Sequence, residues 1–165
     1  MGVRVFWKLN SKQAALCASF GGAAYALRVV NLVIPIGGPF VIDARDIPGI
    51  VGATLSGPIG GIIVGFLAGI PSKFPIVDIP SFVLAYFLVG ILAQVLTRWR
   101  WLSALGALTG YLAAAFIVWQ LGLMPTLWGA LVSVAPRAIV IVPVQLSILL
   151  AIFRRWPNIL ETIRM

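Results

Sequence analysis

Residues 46–70 read DIPGIVGATLSGPIGGIIVGFLAGI, and after Asp46 no charged residue appears until Lys73. A run this apolar suits a lipid environment, yet Gly57-Pro58 divides it. Proline lacks an amide hydrogen and collides with the preceding turn, so a straight helix does not pass through it. The pieces on either side, residues 47–56 and 58–70, each extend only ~15 to 20 Å as helix, short of the ~30 Å hydrocarbon core. They are either tilted half-depth elements meeting at Gly57-Pro58 or the limbs of one broken span. Asp46-Ile47-Pro48 reads as a helix start, because a carboxylate accepts the free amide hydrogens and proline tolerates the first turn.

The flanking sequence is of the same kind. In 165 residues, 61% are hydrophobic and 10% charged, with a mean hydropathy of +1.09; a soluble domain carries about a quarter of its residues charged. Apolar stretches at residues 13–34, 76–97, 101–121 and 128–153 join the two short ones. The expectation is an all-α integral membrane protein, a six-transmembrane-helix bundle with helices 2 and 3 short, forming a single transmembrane domain over residues 1–165. The basic start, short apolar run and Ala24-Tyr25-Ala26 resemble a cleavable leader, but the segment is read as a retained membrane helix.

Charge orients this bundle. Arg4, Lys8, Lys12, Arg98, Arg100, Arg154, Arg155 and Arg164 are eight of the 12 basic residues, and six crossings put them on the side of the termini. The opposite loops carry Arg45 and Lys73 with Asp43, Asp46 and Asp78. Five crossings would split the basic set. The positive-inside rule therefore predicts a multi-pass protein of the plasma membrane with both termini cytoplasmic. The formal charge of +8 is thus topological, and nucleic acid is not expected as a partner. One cysteine, Cys17, forbids an intramolecular disulfide, and the absence of histidine excludes Ser-His-Asp catalysis and histidine-ligated zinc. No catalytic residue, metal ligand or cofactor is assigned, and the chain is not expected to be an enzyme.

Small residues recur at spacings of four: Ala14, Ala18, Gly22 and Ala26; Gly49, Ala53 and Gly57; Gly61, Gly65 and Gly69; Gly106, Gly110 and Ala114. In lipid such faces let helix backbones approach closely. Packing inside the bundle is the ordinary use of them; the face on helix 1 also suits docking to a partner membrane protein.

Two arginines fall within predicted spans. Arg28 lies about 24 Å along the first helix from Lys12, and Arg137 follows Pro136 in the last. A buried arginine costs roughly 2.5 to 3.5 kcal/mol on insertion scales unless it finds a partner or a polar cavity. Ion pairing with Asp43, Asp46 or Asp78, or snorkelling of Arg28, satisfies that need; so does an outward pocket whose guanidinium groups hold an anionic ligand. Asp43 and Arg45 in the first outer loop, and Lys73 in the proline-stiffened connection before Asp78, are the other polar candidates. Tyr86, Tyr111 and Gln145 join them if they face inward, since a buried phenol or amide needs a partner. Trp99, Trp101, Trp119 and Trp128 suit interfacial belts.

The order of these features resembles the S components of energy-coupling factor (ECF) transporters, small membrane proteins that bind vitamins for import. The resemblance spans nearly the whole chain and rests on Lys8-Leu9-Asn10-Ser11 at the entry to helix 1, on Ala14 and Ala18, and on Asp46-Ile47-Pro48 through Gly57-Pro58-Ile59-Gly60-Gly61. It implies a docking face for the transmembrane coupling subunit at Ala14 and Ala18, with Gly22 continuing the stripe. It also implies an outer pocket near Asp43, Arg45 and Lys73. The chain has no Gly-x-x-x-x-Gly-Lys-Ser/Thr loop, so separate ATPase subunits would supply the energy. The expected function is therefore capture of a small, vitamin-like metabolite, with anionic compounds among the candidates. The alternatives are a non-transporting scaffold of the rod-shape-determining type and an intramembrane enzyme using Asp43, Asp46 and Asp78.

Overall fold

The computed structural model describes residues 7–37 and 40–165; Arg4 of the terminal basic set and Gly38-Pro39 of the first outer loop lie outside them. Helix α1, Ser11–Val29, opens with a capping box in which the Asn10 side chain accepts from Gln13 N at 2.8 Å and Gln13 Oε1 accepts from Asn10 N at 3.1 Å. It ends five residues before the expected Ile34. Asn31 adopts φ 53°, a left-handed conformation that asparagine tolerates and that terminates the helix. The β-branched residues beyond it then form strand β1, Val33–Gly37, paired antiparallel with β2, Phe40–Asp43, in the register Val33↔Asp43 and Ile34↔Ile42. This hairpin is an addition to the expected all-helical architecture.

Helix α2, Asp46–Gly69, is broken at Gly57, whose φ of 78° and ψ of −168° suit only glycine. Its limbs fold back on each other: Arg45 at the head donates to the Ala68 carbonyl near the tail at 2.6 Å, and Gly60 sits against Ser56 beside the break. Residues 46–70 are thus a helical hairpin with limbs of about 17 Å. Asp46 is not the expected cap. Arg45 holds the cap position without a side-chain bond, and the Asp46 carboxylate instead meets Arg137.

The second limb runs antiparallel to α3, Pro75–Val95, at backbone contact. A Cβ on Gly65 would lie 2.6 Å from the Phe82 carbonyl oxygen, and one on Gly69 2.7 Å from Ile79 Cα. The stripe Gly61, Gly65 and Gly69 is therefore consumed in internal packing. A 3-10 segment, Arg100–Gly106, leads into α4, Ala107–Gln120, and Gly110 there packs on the Ser81 carbonyl of α3. Helix α5, Leu127–Arg155, follows a Thr126 cap, and a short α6, Ile159–Arg164, closes the chain.

Among the described residues four helices are long and apolar enough to cross a membrane: Asp46–Gly69, Pro75–Val95, Arg100–Gln120 and Leu127–Arg155. The first reaches that length only when counted through its break. Six separate spans are thus not what the elements present, since α1 is not among the four and the two short segments form one interrupted element. The outward surface is apolar: Leu112, Phe116, Trp128, Val132 and Ile139 are all more than half exposed, which a membrane environment accommodates and water does not.

Contacts define two ends. At one, Asn10 Nδ2 donates to the Ile163 carbonyl at 2.8 Å and Arg100 pairs with Glu161 at 3.3 Å. The start of α1, the 3-10 segment and α6 meet there with most of the basic residues. At the other end lie the β-hairpin, the head of α2 and the head of α3. Between the ends the core is built from Cys17, Ala24, Ile50, Val64, Tyr86, Val89 and Leu149.

Candidate functional site

A cavity of about 370 Å³ opens among α3, α4 and α5 toward the hairpin end, a volume within the usual range for small-molecule sites. Helix α3 contributes Asp78, Ser81, Phe82, Ala85 and Tyr86, which share one face because side chains three and four apart are neighbours on a helix. Gly110, Tyr111, Ala114 and Val118 do the same on α4, and Ser133, Arg137 and Gln145 on α5. Asp46 comes from the head of α2, while Phe74, Leu123 and Met124 close the rim.

Of the residues proposed from sequence, Tyr86, Tyr111, Arg137 and Gln145 line this cavity. Their polar groups gather around Asp46. Arg137 Nη2 lies 2.9 Å from Asp46 Oδ2, and Gln145 Nε2 donates to the Asp46 carbonyl at 3.4 Å. The Tyr111 hydroxyl adjoins the Arg137 guanidinium. The Tyr86 hydroxyl lies over Gly49, where any side chain would displace it. Tyr86 Oη, Gln145 Oε1 and Arg137 Nε are buried without a hydrogen-bond partner among the described residues. Such atoms cost about 1 to 3 kcal/mol each, so the cluster keeps unused polar capacity beside an apolar chamber.

Arg28, Asp43 and Arg45 do not line the cavity. They form a buried support behind it. Arg45, only 1% exposed, reaches Asp43 Oδ2 with Nε at 2.9 Å and Asp78 Oδ2 with Nη2 at 2.7 Å, besides its bond to Ala68. Its guanidinium also stacks 4.4 Å from the centre of the Phe82 ring. Asp43 is shared with Arg28 at 3.3 Å, and Asp78 accepts a further bond from the Ser72 hydroxyl. One residue therefore ties the β-hairpin, the tail of α2 and the head of α3 together. Lys73 is exposed in the connection between α2 and α3, outside the lining. At this end three arginines, Arg28, Arg45 and Arg137, are matched by three aspartates, Asp43, Asp46 and Asp78.

Sequence reasoning placed Asp78 among the outer-loop carboxylates available for ion pairing and Asp46 at a helix cap, and did not single out Ser81, Phe82 or Ser133. Helical spacing from Asp78 carried the signal for Ser81, Phe82 and Ala85. Ser133 had no comparable marker, because its position depends on how α5 is rotated against α4.

The remaining candidates lie elsewhere. Ala14, Ala18 and Gly22 are exposed on α1, and nothing approaches within 4 Å of a Cβ built on Gly22. The opposite face of α1, with Gln13, Cys17, Gly21 and Ala24, is the buried one. Among the described residues no group of three or more His, Cys, Asp or Glu is placed to hold a metal ion. No protein-family model, curated protein or solved structure matches the chain. The fold and cavity define a helical protein of membrane character with an internal chamber at one end.

Proposed function

We propose that this chain is the substrate-specificity subunit of an ECF-type importer, capturing a small metabolite in the cavity among α3, α4 and α5. The observation that carries the reading is the position of that cavity: it opens at the end opposite the basic cluster of α1, the 3-10 segment and α6. With the basic end cytoplasmic, as the positive-inside rule favours, the cavity faces outward. Counting α1, α3, the 3-10 segment with α4, and α5 as crossings, with the α2 hairpin entering and returning on the outer side, puts both termini inside. The exposed small-residue face of α1, centred on Ala14, Ala18 and Gly22, is the docking surface for a transmembrane coupling subunit, whose ATPase partners drive release. Small residues there permit close approach without a side-chain barrier.

The test is a thermal-shift screen of the purified protein in detergent against a panel of vitamin-like metabolites, since a ligand bound only by the folded state raises apparent stability. Stabilisation by one member supports the reading, and its absence across the panel counts against it. The exposed α1 face serves a non-transporting scaffold equally well. Recovery of cell-wall machinery, and not ATPase subunits, in a pull-down of the intact protein from its native membrane selects that alternative.

A further inference from the structure

Resting on the reading of the cavity as a ligand site, we propose that its ligand has an apolar body and a polar end that donates hydrogen bonds and carries no negative charge. Carboxylates and phosphates are excluded.

The charges around the cavity argue for this first. Arg137 is the cation of the lining, and it is already paired with Asp46, whose side chain is only 3% exposed. An anion that took Arg137 would leave a buried carboxylate without its counter-charge, and breaking such a pair is strongly unfavourable. It would also face Asp78, the second carboxylate of the lining. Arg45 behind Asp78 offers no relief: it is 1% exposed and engaged with Asp43, Asp78 and the Ala68 carbonyl. Arg28 pairs with Asp43, and Lys73 stands outside the lining. The lining itself therefore holds two carboxylates against one guanidinium.

The hydrogen-bond inventory points the same way. The Ser81 hydroxyl donates to the Val77 carbonyl at 2.6 Å and the Ser133 hydroxyl to the Ala130 carbonyl at 2.7 Å. Both hydroxyls then have only lone pairs to offer. Carboxylates accept and do not donate. Gln145 spends one amide hydrogen on the Asp46 carbonyl, and its oxygen is left over. Donors remain on Arg137, on the second amide hydrogen of Gln145 and on the two tyrosine hydroxyls, so the polar end of a ligand meets donors and acceptors alike. A ligand bearing N–H or O–H groups uses the lone pairs of Ser81, Ser133 and Gln145, which a carboxylate cannot. Phe82, Val118, Leu123 and Met124 supply the apolar wall for its body.

Three probes with one ring system and different ends separate the possibilities: naphthamide, naphthylmethylamine and naphthoate, each added at millimolar concentration to the detergent-purified full chain. Thermal unfolding is followed for the wild type and for Ala114→Phe and Val118→Trp, which fill the cavity from α4. The amide and the amine raise the melting temperature of the wild type, the naphthoate does not, and either filling variant that keeps its wild-type elution profile loses the shift. A naphthoate shift equal to or larger than the others overturns the proposal, as does no shift with any probe or a shift that survives filling. The same plates carry the metabolite panel. A stabilising metabolite that is anionic leaves the capture reading standing and removes this one; probe binding with no panel hit does the reverse.

Discussion

Replacing Arg45 with methionine tests the support behind the cavity. Arg45 is 1% exposed and joins three separate elements: Asp43 on β2 at 2.9 Å, the Ala68 carbonyl on α2 at 2.6 Å and Asp78 on α3 at 2.7 Å. Methionine keeps part of the stem and its packing on Phe82 but leaves all three acceptors without the guanidinium. Removing one partner of a buried pair costs about 3 to 5 kcal/mol, most of it from the charge left behind. The loss should fall at the low end of that range. Asp43 retains Arg28, and Asp78 is 25% exposed and retains Ser72, so neither carboxylate is wholly abandoned. Equilibrium unfolding in detergent is the assay, with Arg45→Met, Asp78→Asn and the double variant compared in a cycle. Asp78→Asn alone should cost less than Arg45→Met, and the double variant less than the sum of the two. A loss below about 1 kcal/mol for Arg45→Met, the range of exposed pairs, would refute the reasoning.

Three further outcomes follow from particular contacts. Gly57→Ala forces a side chain into φ 78° and should lower stability by about 1 to 3 kcal/mol in the same unfolding assay. Arg137→Gln leaves Asp46 buried and unpaired, so it should destabilise by about 3 to 5 kcal/mol, and adding Asp46→Asn should restore part of the loss; restoration is read from the melting temperatures. Gly22→Val meets open space and should leave the melting temperature of the isolated chain unchanged, whereas Gly65→Val meets the Phe82 carbonyl and should lower it markedly; if the α1 face is the docking surface, Gly22→Val also reduces co-purification with the coupling subunit.

How much of this was legible in the sequence depends on the range of the interaction that decides each feature. The apolar character, the break at Gly57-Pro58 and the small-residue contacts of Gly61, Gly65 and Gly69 were legible, because proline chemistry and a spacing of four act locally. The early end of α1 was not, although Asn31 followed by Leu32, Val33 and Ile34 carried a β signal; uniform apolarity masked the change from helix to strand. The pairing of Arg137 with Asp46 spans 91 positions, and sequence allowed several aspartates equally. Tyr86, Tyr111 and Gln145 were named as buried groups needing partners, and their convergence around Asp46 required the rotation of three helices to be known. Asp43 and Arg45 were read in the first outer loop and Arg28 within the first span, and the structure brings the three together for mutual neutralisation behind the lining.

The most direct measurement is retention of a small molecule by the purified full chain from a metabolite extract, read by mass spectrometry and compared with Ala114→Phe. Enrichment of one apolar-bodied, non-anionic compound on the wild type, and its loss in the filled variant, is the predicted result. Equal retention by both proteins, or by neither, would contradict the assignment of this cavity as a capture site.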